Sequence, residues 1–161
     1  MNQVLSQNDQ QLAKYLQQMS ILYGENQQAC FPNQVLTHGR IWTISEQQPD
    51  RMTPRLCYEN AYLFSDKSNI YCEGWAVPDN IPLPIWHAWC INLEGEVLEL
   101  TWEKPGISYI GIPFQDDWLV ETFLNYREYG IGGEACANGF PEDTSEWVHP
   151  IQSKGQTILR S

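Results

Sequence analysis

Residues 85–102 read "IWHAWCINLEGEVLELTW". Apolar side chains fill both alternating sets of this stretch, as in a strand pair covered on both faces. At its centre "INLEGEV" is a hairpin turn. Glycine at the third loop position suits a type I turn closed by a left-handed residue, with Leu93, Glu94 and Gly95 as the loop. Asn92 then opposes Glu96, His87 opposes Thr101, and Glu99 opposes Trp89. His87 and Glu99 fall on one face, a diagonal step apart, roughly 7 Å between alpha carbons. Ile85, Trp89, Ile91 and Val97 share that face, while Trp86, Ala88, Cys90, Leu98, Leu100 and Trp102 take the other. A two-residue turn would shift the pairing by one and send His87 and Glu99 to opposite faces.

An ionised Glu99 on a covered face is costly without a partner, and His87 is the partner within reach. Such a pair inside a sheet is commonly structural. Upstream, "TPRLCYENAYLFSD" (53–66) changes the weighing. Thr53 can cap a helix there, and Pro54 fits its first position, where a missing N–H costs nothing. Cys57, Asn60, Ala61 and Phe64 share one helical face. A thiol in a first helical turn feels the positive end of the helix dipole, which favours thiolate. A lone cysteine is ordinarily an inert core residue. Cysteine, histidine and acid together point to nucleophilic chemistry.

Further out, Leu12, Tyr15, Leu16, Met19 and Leu22 or Tyr23 recur at helical spacing over 10–23, stopped by Gly24. Within 25–53, "RIWTI" (40–44) is the one segment that reads as a strand. "NIYCEGWAV" (69–77) reads as a strand in which Gly74 admits another backbone closely. "IGIPF" (110–114) is a further short strand, and "DDWLVETFLNYREYG" (116–130) is a helix closed by Gly130. The last thirty residues, with Gly132, Gly133, Gly139 and Pro141, read as irregular. The expectation is an α+β fold, an antiparallel sheet covered by helices, in one domain spanning 1–161. Its core motifs lie in 53–114, with 1–52 and 115–161 as embellishments.

Nine Lys and Arg against twenty Asp and Glu leave a net charge of −11 over 161 residues. That balance disfavours nucleic acid and anionic membranes as partners. Nowhere do eighteen apolar residues run together, and the opening "MNQVLSQNDQ" lacks the pattern of a secretory signal. The expected location is therefore cytoplasmic. Five cysteines (30, 57, 72, 90 and 136) are odd in number and irregularly spaced, which reads as reduced thiols. A zinc site from Cys57, Cys72, His87 and Cys90 is disfavoured, because His87 and Cys90 lie three apart on a strand and face opposite ways. No metal or cofactor is implied, and oligomeric state is not legible.

"CYENA" (57–61), "IYCEGWA" (70–76), "HAW" (87–89) and "VLELTW" (97–102), in this order, resemble the core of the transglutaminase-like superfamily of papain-like cysteine enzymes. That core runs Cys-x-x-x-Ala on a helix, a strand ending in a Gly-aromatic pair, His-Ala-Trp, then a strand ending Asp-Pro-Thr. The resemblance covers 57–102. It implies a cysteine helix against an antiparallel sheet, with Cys57 as nucleophile, His87 as its base and Glu99 in the acid position. Glu99 stands where the family carries Asp, and Leu100 where it carries Pro. The implied function is a cysteine-dependent hydrolase or acyl transferase acting on an amide bond: peptidase, amidase, deamidase or transglutaminase-type. Its partner would be a protein, a peptide or a small amide. The alternative is a non-catalytic binding or inhibitory protein with an acidic, aromatic surface. Trp75, Trp86 and Trp89 are candidates to line an apolar cleft, although tryptophan in a strand is usually core. Asn60 and Glu73 are substrate-binding candidates, set against a backbone-capping Asn and a solvated strand Glu.

Overall fold

The computed structural model describes residues 4–26, 30–125 and 130–158. At its centre three strands lie side by side: β3 (Asn69–Val77), β4 (Ile85–Asn92) and β6 (Ser108–Pro113). β3 pairs antiparallel with β4 from Asn69↔Asn92 to Ala76↔Ile85, and on its other edge with β6. Gly74 is the point of closest approach. A side chain there would run into the Ile110 carbonyl and the Gly111 backbone, so glycine is what lets β3 and β6 pair at normal spacing.

β5 (Glu96–Leu98) pairs with β4 as Cys90↔Leu98 and Ile91↔Val97, the register of the three-residue loop. Gly95 adopts φ +81°, the left-handed conformation that this turn needs. After Leu98 the chain leaves the ladder, so the pairings expected for Glu99 and Thr101 do not form. Trp102 consequently crosses to the His87 side instead of facing away.

The segment read as one strand at 40–44 is two. β1 (Arg40–Ile41) pairs antiparallel with β6 and with β7 (Gln156–Thr157), whereas β2 (Thr43–Ile44) runs parallel to β5. The sheet is therefore mixed, not purely antiparallel, in the order β2-β5-β4-β3-β6-β1-β7. Only Trp42 separates β1 from β2, yet they attach to opposite sides of the sheet. It must curl until those sides meet. Trp42 joins them, its backbone N–H donating to Tyr109 O (3.0 Å) and its indole Nε1 to Gly111 O (3.1 Å).

Helices cover one face of this half-barrel. α1 (Gln7–Tyr23) is capped by Ser6 and contributes Leu12 and Leu16; α2 (Cys30–His38) contributes Phe31 and Val35. α3 (Cys57–Phe64) contributes Ala61, α4 (Asp116–Asn125) Leu119, and α5 (Ile131–Asn138) Ile131. They pack on Tyr71, Trp75, Ala88, Cys90, Ile110 and Ile112. The opposite face, with Ile70, Cys72, Trp89, Ile91, Val97 and Tyr109, packs across the curl against Trp42 and Ile151.

α5 lies where the sequence reads as irregular, and α2 in a segment left without a reading. Pro32 falls in the first turn of α2, where proline is tolerated. In α5, Gly132 sits where a side chain would overlap the Phe31 ring, so its absence lets α5 lie against α2. Gly130, expected to close a helix, instead precedes α5 as its N-cap, and residues 126–129 of the expected long helix lie outside the described residues. Cys30 and Cys136 form a disulfide between α2 and α5, which corrects the reading of five reduced thiols. Cys57, Cys72 and Cys90 are free. Among the described residues no helix is long and apolar enough to cross a membrane.

Candidate active site

Thr53 and Pro54 do not start α3. Arg55 takes a left-handed conformation at φ 69°, which no helix continues through, so the helix begins at Cys57. Leu56 occupies the capping position and supplies no side-chain hydrogen bond. The first backbone N–H groups of α3 thus lack an intrahelical acceptor and a side-chain cap, at the residue that carries the thiol. Cys57 itself is half-buried and free.

The Cys57 thiol and the imidazole of His87 line the same hollow, close enough for the sulfur to raise the His87 pKa. His87 Nε2 meets both oxygens of Glu99, at 2.9 and 3.1 Å, which leaves Nδ1 as the nitrogen for the sulfur. Both partners are almost fully enclosed, His87 at 2% and Glu99 at 3% exposure. The Trp102 ring stacks flat on His87, 3.9 Å between centroids and 10° between planes, fixing the plane of the imidazole. Glu99 is fixed in turn: Tyr109 OH donates to Oε1 (2.7 Å), and the backbone N–H groups of Thr101 (3.0 Å) and Trp102 (3.2 Å) donate to Oε2. Those two backbone donors exist because the chain turns after Leu98. Departure from the ladder is what turns Glu99 from a strand residue into a held carboxylate.

Electrostatics follow the geometry. Burial alone would lower the His87 pKa, but the neighbouring Cys57 sulfur, the hydrogen bonds to Glu99 and the charge of Glu99 outweigh it and raise the imidazole to about 9. Burial would likewise raise Glu99, and the bonds from His87, Thr101 and Tyr109 with the imidazolium charge carry its pKa below the ordinary value instead. This is a cation–anion pair whose remaining lone pairs are satisfied, the condition under which a buried pair persists.

The other predicted site residues are placed differently. Asn60 is buried and donates its side-chain N–H to Thr53 O (2.7 Å) and Thr101 Oγ1 (2.9 Å). It ties the approach to α3 to the loop that carries Glu99. Glu73 is fully enclosed on the helix-covered face, accepting from the backbone N–H of Gly132 and Ile131 at the start of α5 and from Tyr71 OH. Trp75 packs at a tilt against Phe31 and Trp86, and Trp89 lies within the opposite cluster. Neither Trp75 nor Trp89 lines the hollow beside Cys57. Cys72 and Cys90 belong to opposite faces of the sheet, and the Cys90 thiol donates to Ala61 O.

That hollow, about 460 Å³, is lined by Cys57, His87, Thr101 and Trp102 with Arg51, Pro54, Arg55, Ile85 and Trp86. Sequence reasoning missed Trp102, Thr101, Tyr109 and the two arginines. Of these, Thr101 and Trp102 left a trace there, as the end of the "VLELTW" motif. No family model, curated protein or solved structure matches this chain.

Proposed function

We propose that this protein is a cysteine-dependent acyl-transfer enzyme, a thiol hydrolase or acyl transferase acting on an amide bond. The observation that carries it is the convergence of Cys57 with the bonded pair His87–Glu99, two members enclosed and the sulfur half-open to a hollow. The motif order resembling the transglutaminase-like core supports the same reading.

The chemistry runs through this chain's own groups. His87 holds the thiol proton and leaves a sulfur nucleophile paired with an imidazolium. Glu99 keeps Nε2–H engaged, so Nδ1 is the nitrogen that exchanges the proton. Sulfur attacks the amide carbon, and the developing oxyanion meets the uncapped N–H groups at the start of α3. His87 then returns the proton to the leaving amine, giving a thioester on Cys57. Water or an amine, deprotonated by the same imidazole, releases the acyl group.

Alkylation by iodoacetamide tests this at neutral pH. Cys57 is expected to react far faster than Cys72 or Cys90, which are enclosed and whose pKa values burial raises. His87→Ala should reduce that rate to that of an ordinary exposed thiol. If Cys57 reacts no faster than a free cysteine and His87→Ala leaves the rate unchanged, the reading fails.

A further inference from the structure

The hollow beside Cys57 inverts the charge of the molecule. The chain has more than twice as many acids as bases, yet this hollow is lined by Arg51 and Arg55 and by no carboxylate except through the enclosed Glu99 behind His87. It continues into a second hollow of about 620 Å³ that shares Arg51, Arg55, Ile85 and Trp102, and adds Lys104, Ile81 and Pro78 with Asp79 and Glu103. Among the described residues the sole ion pair is His87–Glu99, so no carboxylate lies within 4 Å of Arg51, Arg55 or Lys104. Arg51 is oriented without being neutralised: its Nε donates to Thr101 O (2.9 Å), which leaves its terminal nitrogens to the hollow. Arg55 is exposed, on a backbone held left-handed by the turn before α3.

Resting on the thiol reading above, we propose that the acyl donor is an acidic peptide, with an Asp or Glu carboxylate beside the reacting amide held by Arg51 and Arg55. A guanidinium presents paired N–H donors that match a carboxylate, and a net charge of −11 would otherwise repel such a ligand. The two hollows adjoin through Arg51, Arg55, Ile85 and Trp102, and the exposed Ile81 and Ile85 with Trp102 supply apolar contacts for the neighbouring side chains. The arginines are thus specificity residues: they select the donor and take no part in the bond changes.

Calorimetric titration of the Cys57→Ala protein tests this without the sulfur, using three capped pentapeptides that carry Glu, Gln or Lys on both sides of a central Gln. The Glu peptide should bind about tenfold more tightly than the Gln peptide, the Lys peptide weakest, and the preference should shrink with added salt. Arg55→Gln on that background should weaken the Glu peptide severalfold and leave the Gln peptide unchanged, and Arg55→Glu should invert the order toward Lys. Equal binding of the three peptides, binding of none, or an Arg55→Gln loss shared equally by Glu and Gln peptides would overturn the proposal. Cys57 alkylation in the wild-type protein is scored separately, so either idea can fail while the other stands.

Discussion

Glu73 gives the sharpest physical test of the fold. Its carboxyl lies at 0% exposure between Tyr71 and the start of α5, and burial lifts its pKa from 4.5 to about 8 against the pull of the Gly132 and Ile131 N–H groups and the Tyr71 hydroxyl. A carboxyl with a raised folded-state pKa binds more protons folded than unfolded between those two values. The contribution of Glu73 to stability is therefore most favourable at or below pH 4.5, declines as pH rises, and levels off above about 8. The decline amounts to about 5 kcal/mol. This rivals the whole stability of a small domain. Glu73→Gln removes the titration while keeping an acceptor for the α5 N–H groups and a donor for the tyrosine oxygen. Urea unfolding of both proteins at pH 5, 7 and 9 separates the cases. The two should be similar at pH 5, and the variant should be more stable by several kcal/mol at pH 9 (about 5 in full). Any pH dependence common to both, such as that of His87, cancels in the difference. Parallel stability curves for the two proteins across this range would refute the reasoning.

Replacing Glu99 by Gln should cost about 3 kcal/mol, because it removes the anion that faces the enclosed imidazolium and accepts from Tyr109 OH and the N–H groups of Thr101 and Trp102. In the same variant NMR titration should find His87 well below its wild-type value of about 9. The raised His87 pKa adds stability that is full below pH 6.5 while Glu99 stays ionised, fades as pH rises through 9, and is lost in acid when Glu99 protonates; Glu99→Gln should abolish both limbs. Gly74→Ala should destabilise by about 3 kcal/mol or prevent folding, since its methyl meets main chain of β6 and not a movable side chain; thermal melting reads this directly. Reduction of Cys30–Cys136, 106 residues apart, should cost about 4 kcal/mol, measured as the fall in denaturation midpoint with dithiothreitol and absent in a Cys30→Ser, Cys136→Ser double variant.

Where local chemistry set the structure, the sequence was readable. Gly95 and the three-residue loop fixed the β4–β5 register, which brings Glu99 near His87, although the turn after Leu98 that completes their meeting was not legible. Cys57 was placed on the right helix but three residues too deep, because the left-handed turn at Arg55 has no residue signature of its own. The divided strand at Trp42 escaped notice because nothing local distinguishes one curled strand from two short ones. α5 was unreadable for a different reason: its glycines are there for Phe31 and Trp86, contacts defined by distant chain. Glu73 read as solvated because its partners, Gly132 and Ile131, lie almost sixty residues away.

The passage of the chain through Trp42 has a consequence for behaviour in concentrated solution. Open sheets invite neighbouring molecules to add strands along an unpaired margin, the first step toward fibrillar association. Here the outermost strands, β2 and β7, are only two residues long, and the Trp42 indole helps suture the sheet's two halves. Trp42→Ala would unpick that suture, and the resulting protein should recruit amyloid-binding dyes at concentrations where the parent stays dispersed.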